Sequence, residues 1–162
     1  SSSERKTFNG KLYVAKWDLI KYVTNHLSDA NYTNTNWYLL RYADVLLLYA
    51  EALNELNGPT EEAKSYLHMI RERAFDNYSE SPHKTKIDQI ADKDAFRDHL
   101  LDERGWEFCW EGMRRPDLIR HGKLISNALE RGKVMAEPKH ILYAIPQSVC
   151  YENPRIVQNE GF

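Results

Sequence analysis

The sequence predicts an all-α fold, a scaffold of helical hairpins joined by long irregular loops. Three observations predict it. Apolar residues from about Tyr38 to Leu56 recur at i, i+3, i+4 and i+7, and a second run after Thr60 does the same. Between them stands Asn57-Gly58-Pro59, a helix stop. A third run opens near Asp92 or Asp94 and is expected to reach about Gly112. Nothing alternates regularly enough to build a central sheet.

Residues 1–37 show no sustained period and read as an irregular opening segment. Within it Lys11-Leu12-Tyr13-Val14-Ala15 suggests a short strand, and the Asn-, Thr- and Ser-rich stretch from Asn25 to Asn36 a loop. The first helix should bury Leu39, Tyr42, Ala43, Leu46, Ala50, Leu53 and Leu56. Val45, Leu47, Leu48 and Tyr49 widen that stripe nearly all round, so the helix should be covered on two sides.

Thr60 caps the second helix, with Glu61 and Glu62 in its first turn and Arg71 and Arg73 near its end, as the helix dipole favours. Its stripe is Ala63, Tyr66, Leu67, Ile70 and Ala74. Residues 38–75 thus form an antiparallel hairpin that resembles one tetratricopeptide unit with an extra turn residue. A single such unit cannot bury its own face, which suggests further chain.

Asp76 to Lys93 is polar, carries Ser81-Pro82 and reads as a surface loop. Helical segments fill 92–131: the third helix, a short one from Asp117 to His121 stopped by Gly122, and another from Lys123 to Arg131 before Gly132. Residues 132–162 read as an extended C-terminal tail, with Ile141 to Pro146 a short extended segment and Tyr151 to Phe162 a turn-rich stretch along the surface.

Composition bounds the function. The 162 residues make one ordinary domain, and 42% apolar with 28% charged residues describes a folded globular chain. A net charge of −2, without a basic stripe, argues against nucleic acid. No apolar run approaches the ~20 residues of a membrane span. The start, Ser1-Ser2-Ser3-Glu4-Arg5-Lys6, lacks signal-peptide features and fits a fragment. Cys109 and Cys150 are too few for a disulfide framework, and Cys109 is expected as a buried thiol inside the third helix.

The densest chemistry runs from Glu103 to Gly122. On a helical wheel Glu103, Glu107 and Glu111 continue the apolar side of Phe96 and Leu100, where unpaired acids would be costly. Arginines nearby predict a structural ion network of Glu103, Arg104, Glu107, Glu111, Arg114, Asp117 and Arg120. Glu107 and Glu111 should pair with Arg104, Arg114 or Arg120 and tie the third helix to the short helix at Asp117. A glycosidase reading of the acids is weaker. Trp106 and Trp110 point about 60° or more from them on the wheel, and arginine pairing would keep their pKa low. Glu137-Pro138-Lys139-His140 has an E-x-x-H spacing without a second copy, and no His pair suits zinc. Nucleotide and hydrolase motifs are absent. The expectation is no enzyme, no cofactor and no metal.

Several segments together resemble a known family. Arg41 to Glu55 (R-Y-A-D-V-L-L-L-Y-A-E-A-L-N-E), Ile70-Arg71-Glu72-Arg73-Ala74 and Glu103-Arg104-Gly105-Trp106-Glu107-Phe108 resemble the C-terminal part of SusD/RagB-family proteins. So do Glu111-Gly112-Met113-Arg114, Asp117-Leu118-Ile119-Arg120, Ile145-Pro146-Gln147, Asn153-Pro154 and Gln158 to Phe162. Arg115-Pro116 and Glu160 depart from the usual pattern.

The resemblance implies a tetratricopeptide-like helical scaffold that binds oligosaccharides, or peptides in some branches, without catalysis. It implies the external face of the outer membrane, a lipid anchor on an N-terminal Cys outside this chain, and a SusC-like TonB-dependent transporter as partner. Residues 1–162 would then be the C-terminal part of such a domain, packed on the remaining N-terminal part. No binding residue transfers by position. Aromatics outside strong helices, Tyr13, Trp17, Tyr32 and Trp37, are the candidates for stacking against sugar.

Overall fold

The computed structural model describes residues 7–8, 11–12 and 38–162. Two compact units divide the chain, residues 1–111 and 112–162. Among the described residues the fold is all-α apart from one minimal hairpin. There β1 (Thr7–Phe8) pairs antiparallel with β2 (Lys11–Leu12), Thr7 opposite Leu12. The expected strand at Lys11 is therefore present, and its residues 13–15 lie outside the described ones.

Helix α1 (Tyr42–Asn57) starts four residues later than the periodicity predicts. Arg41 is its N-cap, extended at φ −123° and ψ 148° as N-cap residues are, and its guanidinium reaches the carboxylates of Glu107 and Glu111. Leu39 thus lies outside the helix and is exposed. Tyr42 and Leu56, also expected in the core, are exposed as well. The buried face is instead Ala43, Leu46, Leu47, Ala50 and Asn54. Helices α2 (Glu61–Ala74) and α4 (Lys93–Glu107) pack on it, so α1 is covered on two sides as predicted. A third side stays open, with Tyr42, Val45, Tyr49 and Leu56 at helical spacing along it.

The turn between α1 and α2 follows its sequence signals. Gly58 takes φ +79° and its N–H donates to Asn54 O at 2.9 Å. Thr60 Oγ1 accepts from Ala63 N–H at 3.2 Å. Ala63, Leu67 and Ile70 fill the seam. Tyr66 meets Tyr49 edge-on at 5.0 Å, while Ala74 is exposed.

The segment 76–93 is not the surface loop that its polarity suggests. It holds a 3-10 turn (Tyr78–Glu80) and α3 (Pro82–Asp88). Ser81-Pro82 is a helix start: Ser81 Oγ accepts from His83 N–H, and proline fits the first helical position. Tyr78 and Ile87 anchor the segment in the core. His68 bridges Tyr78 Oη (2.7 Å) and Asp88 Oδ1 (2.9 Å), and the buried Lys64 donates to Asp88 O at 2.9 Å. Burial pushes the Tyr78 hydroxyl up to about 12.

Helix α4 begins on Asp92, whose Oδ1 accepts from Ala95 N–H at 2.7 Å. The fully buried Asn54 donates to Lys93 O at 3.0 Å and ties this start to α1. Beside it Arg97 and Lys93 hold the Glu55 carboxylate at about 2, Arg97 contributing most. Helix α4 stops at Glu107, five residues short of Gly112. The chain then turns, with Trp110 at φ +65° and Gly112 at φ +82°. Cys109 accordingly sits in the turn and is exposed, not buried in a helix.

The second unit is a chain of short helices: α5 (Arg114–Arg120), α6 (Leu124–Glu130), a 3-10 turn (Pro138–Ile141) and α7 (Gln147–Glu152). Pro116 lies inside the first turn of α5, where its missing N–H costs nothing. Helix α7 interrupts the tail expected to be extended. The tail is also stitched down. Gln158 accepts from Ile145 N–H (2.8 Å) and donates to Ile145 O (2.9 Å), while Asn159 Nδ2 donates to Tyr143 O at 2.7 Å. No helix among the described residues is long and apolar enough to cross a membrane.

Candidate functional site

At the end of α4 the first unit carries a set of charged pairs that join helices far apart in sequence. Glu107 holds two arginines: Arg41 on Oε1 and Arg73 on Oε2, the latter at 2.5 Å. Arg41 also reaches Glu111 Oε1 at 2.8 Å and donates to the Glu107 carbonyl at 3.4 Å, answering an acceptor that the helix end leaves open. Glu103 pairs with Arg71. Arg104, 2% exposed, pairs with Asp44 of α1 at 2.6 Å, and its guanidinium stands 5.1 Å from the Phe108 ring. In the second unit Asp117 pairs with Arg120 at 3.3 Å.

Two acids one turn apart are driven in opposite directions. Burial pushes the Glu103 carboxyl above the usual range, and its one guanidinium, Arg71, opposes this without cancelling it. Burial acts on Glu107 too, but Arg73 and then Arg41 outweigh it and hold that carboxyl low. Such a split occurs in acid–base pairs of glycosidases. Here both oxygens of Glu107 are already taken by arginines, and Glu103 is 4% exposed. The arrangement braces α4 against α1 and α2.

Beside the brace lies an open cleft of about 570 Å³, within the range of small-ligand sites. Trp106 lines it with 59% of its surface exposed. The Arg71 guanidinium sits 5.0 Å from the Trp106 ring and 5.3 Å from the Phe75 ring, and His99 meets Trp106 edge-on at 6.2 Å. Arg71 and His99 thus flank the indole. His99 Nε2 and Arg71 Nε are buried without a hydrogen-bond partner. Burial, with Arg71 adding to it, lowers the His99 pKa and favours a neutral ring. His83 and Lys86 of α3 stand exposed at the rim.

A second cavity, about 400 Å³, lies in the other unit among Leu124, Ile125, Val134 and Met135, with no Trp, Tyr or Phe in its wall. Nearby, Arg115 donates to His140 O (2.8 Å) and Ile141 O (3.2 Å) and stacks 4.3 Å over Tyr143. That is the local role of the residue that departs from the family pattern. The E-x-x-H pair makes a helix cap: His140 Nδ1 accepts from Glu137 N–H at 2.9 Å.

The sugar-stacking candidates Tyr13, Trp17, Tyr32 and Trp37 lie outside the described residues. Helical periodicity does not single out Arg41, Arg71 and Arg73 as partners of the acids, nor Asp44 as the partner of Arg104. Arg73 and Arg41 stand 34 to 70 positions from Glu107 and Glu111, and periodicity sees only neighbours. The cleft had a visible signal. His99, Glu103 and Trp106 follow i, i+4, i+7, and 60° on a wheel does not keep Trp106 from sharing a cleft with Glu103 and Glu107.

The fold and the charged brace define a tetratricopeptide-like helical scaffold. The SusD family profile matches residues 1–138, and the chain belongs to that family. The match begins forty residues before the Arg41 signature. The chain is 35% identical over 132 residues to the SusD-like protein P25 of Formosa agariphila, 78% of this chain and 24% of that protein. It is 36% identical over 133 residues to the SusD-like protein P38 of the same organism, again 78% and 24%. The starch-binding protein SusD of Bacteroides thetaiotaomicron is 29% identical over 162 residues, 96% of this chain and 27% of that one. The chain thus spans about a quarter of the length of these curated relatives. No solved structure gives a significant match.

Proposed function

We infer that this chain is part of a non-catalytic oligosaccharide-binding protein. It works at the external face of the outer membrane, held by a lipid on an N-terminal Cys outside this chain. There it captures glycan for a SusC-like TonB-dependent transporter. The observation that carries the reading is similarity along 96% of the chain to a protein named for starch binding, within a family whose profile covers residues 1–138. The brace agrees with it, since its carboxylates are spent on arginines. Native affinity electrophoresis of the full-length protein in gels containing polysaccharides tests it. Retardation by at least one polysaccharide is expected. No retardation in any gel, with binding to a peptide panel, would move the protein to the peptide-binding branch.

One observation favours a second role beside this one. The open side of α1, Tyr42, Val45, Tyr49 and Leu56, is an apolar stripe of the kind that tetratricopeptide-like hairpins bury against a protein surface. In this reading the segment also grips protein: the remaining N-terminal part of the same molecule, or the transporter. Hydrogen exchange supports it if α1 is more protected in the full-length protein than in residues 1–162. Equal protection would remove it.

A further inference from the structure

We propose that the Trp106 cleft is itself a carbohydrate subsite, taking one pyranose ring of the captured glycan on the indole face. The assignment rests on the oligosaccharide-binding reading and adds to it a place in this chain.

A pyranose presents a C–H face and a rim of hydroxyls, so its site needs an exposed ring beside hydrogen-bonding groups. Trp106 supplies the ring. It is 59% exposed, and the Arg71 guanidinium and the His99 ring already contact it. Neighbours in place before the ligand arrives lower the ordering cost that a bare surface tryptophan would incur. Arg71 is 7% exposed, its terminal nitrogen is committed to Glu103, and its Nε–H has no acceptor. His99 Nε2 is likewise unanswered. A buried polar atom without a partner is costly. A sugar hydroxyl, donor and acceptor at once, can answer either. Lys86 and His83 place further donors at the rim.

The brace explains why the cleft binds without cleaving. Glu103 and Glu107 line it, but each is held by guanidinium groups. They shape the floor beneath Trp106 and leave that ring and the α3 rim to meet the ligand.

The test uses the full-length protein and titration calorimetry with maltohexaose, cellohexaose, xylohexaose and a hexagalacturonate. If none binds the wild type, the oligosaccharide reading fails and the subsite falls with it. If one binds, Trp106→Ala should weaken it at least tenfold, Trp106→Phe should stay within about threefold, and the melting temperature should be unchanged in both. Unchanged affinity in a folded Trp106→Ala protein would place the site elsewhere and overturn the subsite alone. Should Trp106→Ala not fold, the exposed His83→Ala/Lys86→Ala double variant decides: a clear loss supports the cleft, and wild-type affinity overturns it. Peptide binding that depends on Trp106, without glycan binding, would also overturn the sugar assignment.

Discussion

At the residue scale the end of α4 shows how the number of partners decides the charge state of a buried acid. Glu103 and Glu107 are one turn apart and both lose hydration. The acid with one guanidinium rises and the acid with two falls. For Glu107 the folded value lies below the ordinary 4.5. Its contribution to stability is therefore present above about pH 4.5 and lost as pH falls through the folded value. Glu107→Ala should cost about 3 kcal/mol at pH 7, since it leaves Arg41 with one acid and Arg73 with none of those described here. The gap between variant and wild type in denaturant titrations should narrow steadily below about pH 4.5. A gap that is flat from pH 7 to pH 3 would show that the carboxylate charge is not what matters.

The helices themselves were legible because their signals are local. Thr60 as a cap, a helix start near Asp92 or Asp94, Gly58 after α1, and Ala63, Leu67 and Ile70 as core all follow from spacing and cap chemistry. The failures are equally physical. The start of α1 falls at Arg41, whose guanidinium reaches Glu107 and Glu111 far along the chain, and the end of α4 falls at a turn with positive φ at Trp110 and Gly112. Helix α3 was readable in principle from Ser81-Pro82 and was hidden by the polarity around it. The cleft was half legible, through His99 and Trp106 on one face of α4. Its other wall, Phe75 and α3, comes from tertiary packing alone.

Two predictions belong to this scale. Ile87, 1% exposed, pins α3 to the core, so Ile87→Ala should cost about 3 kcal/mol and raise hydrogen exchange first in 82–88. Exchange unchanged there would mean that α3 is held from elsewhere. Arg104→Met strands the buried Asp44 carboxylate and should cost about 3–5 kcal/mol. Adding Asp44→Asn should recover a large part of that loss, which chemical denaturation of the single and double variants can read. Additive losses would mean that the two residues act separately.

For the whole molecule, the family identity was legible because the sequence signature coincides with structural necessities. The Arg41-to-Glu55 segment supplies Arg41 and Asp44 to the brace, Ile70 to Ala74 supplies Arg71 and Arg73, and Glu103 to Phe108 supplies the acids with Arg104. In the tail, Gln158 and Asn159 fasten the segment 143–145. The motifs that identify the chain hold its helices together, and the ring that we assign to sugar stands among them. The most direct measurement is titration calorimetry of the full-length protein with an oligosaccharide panel, followed by assay of new reducing ends in the same cells. The account predicts saturable binding of at least one oligosaccharide and no new reducing ends. A protein indifferent to every glycan, or one that cleaves what it binds, would contradict it.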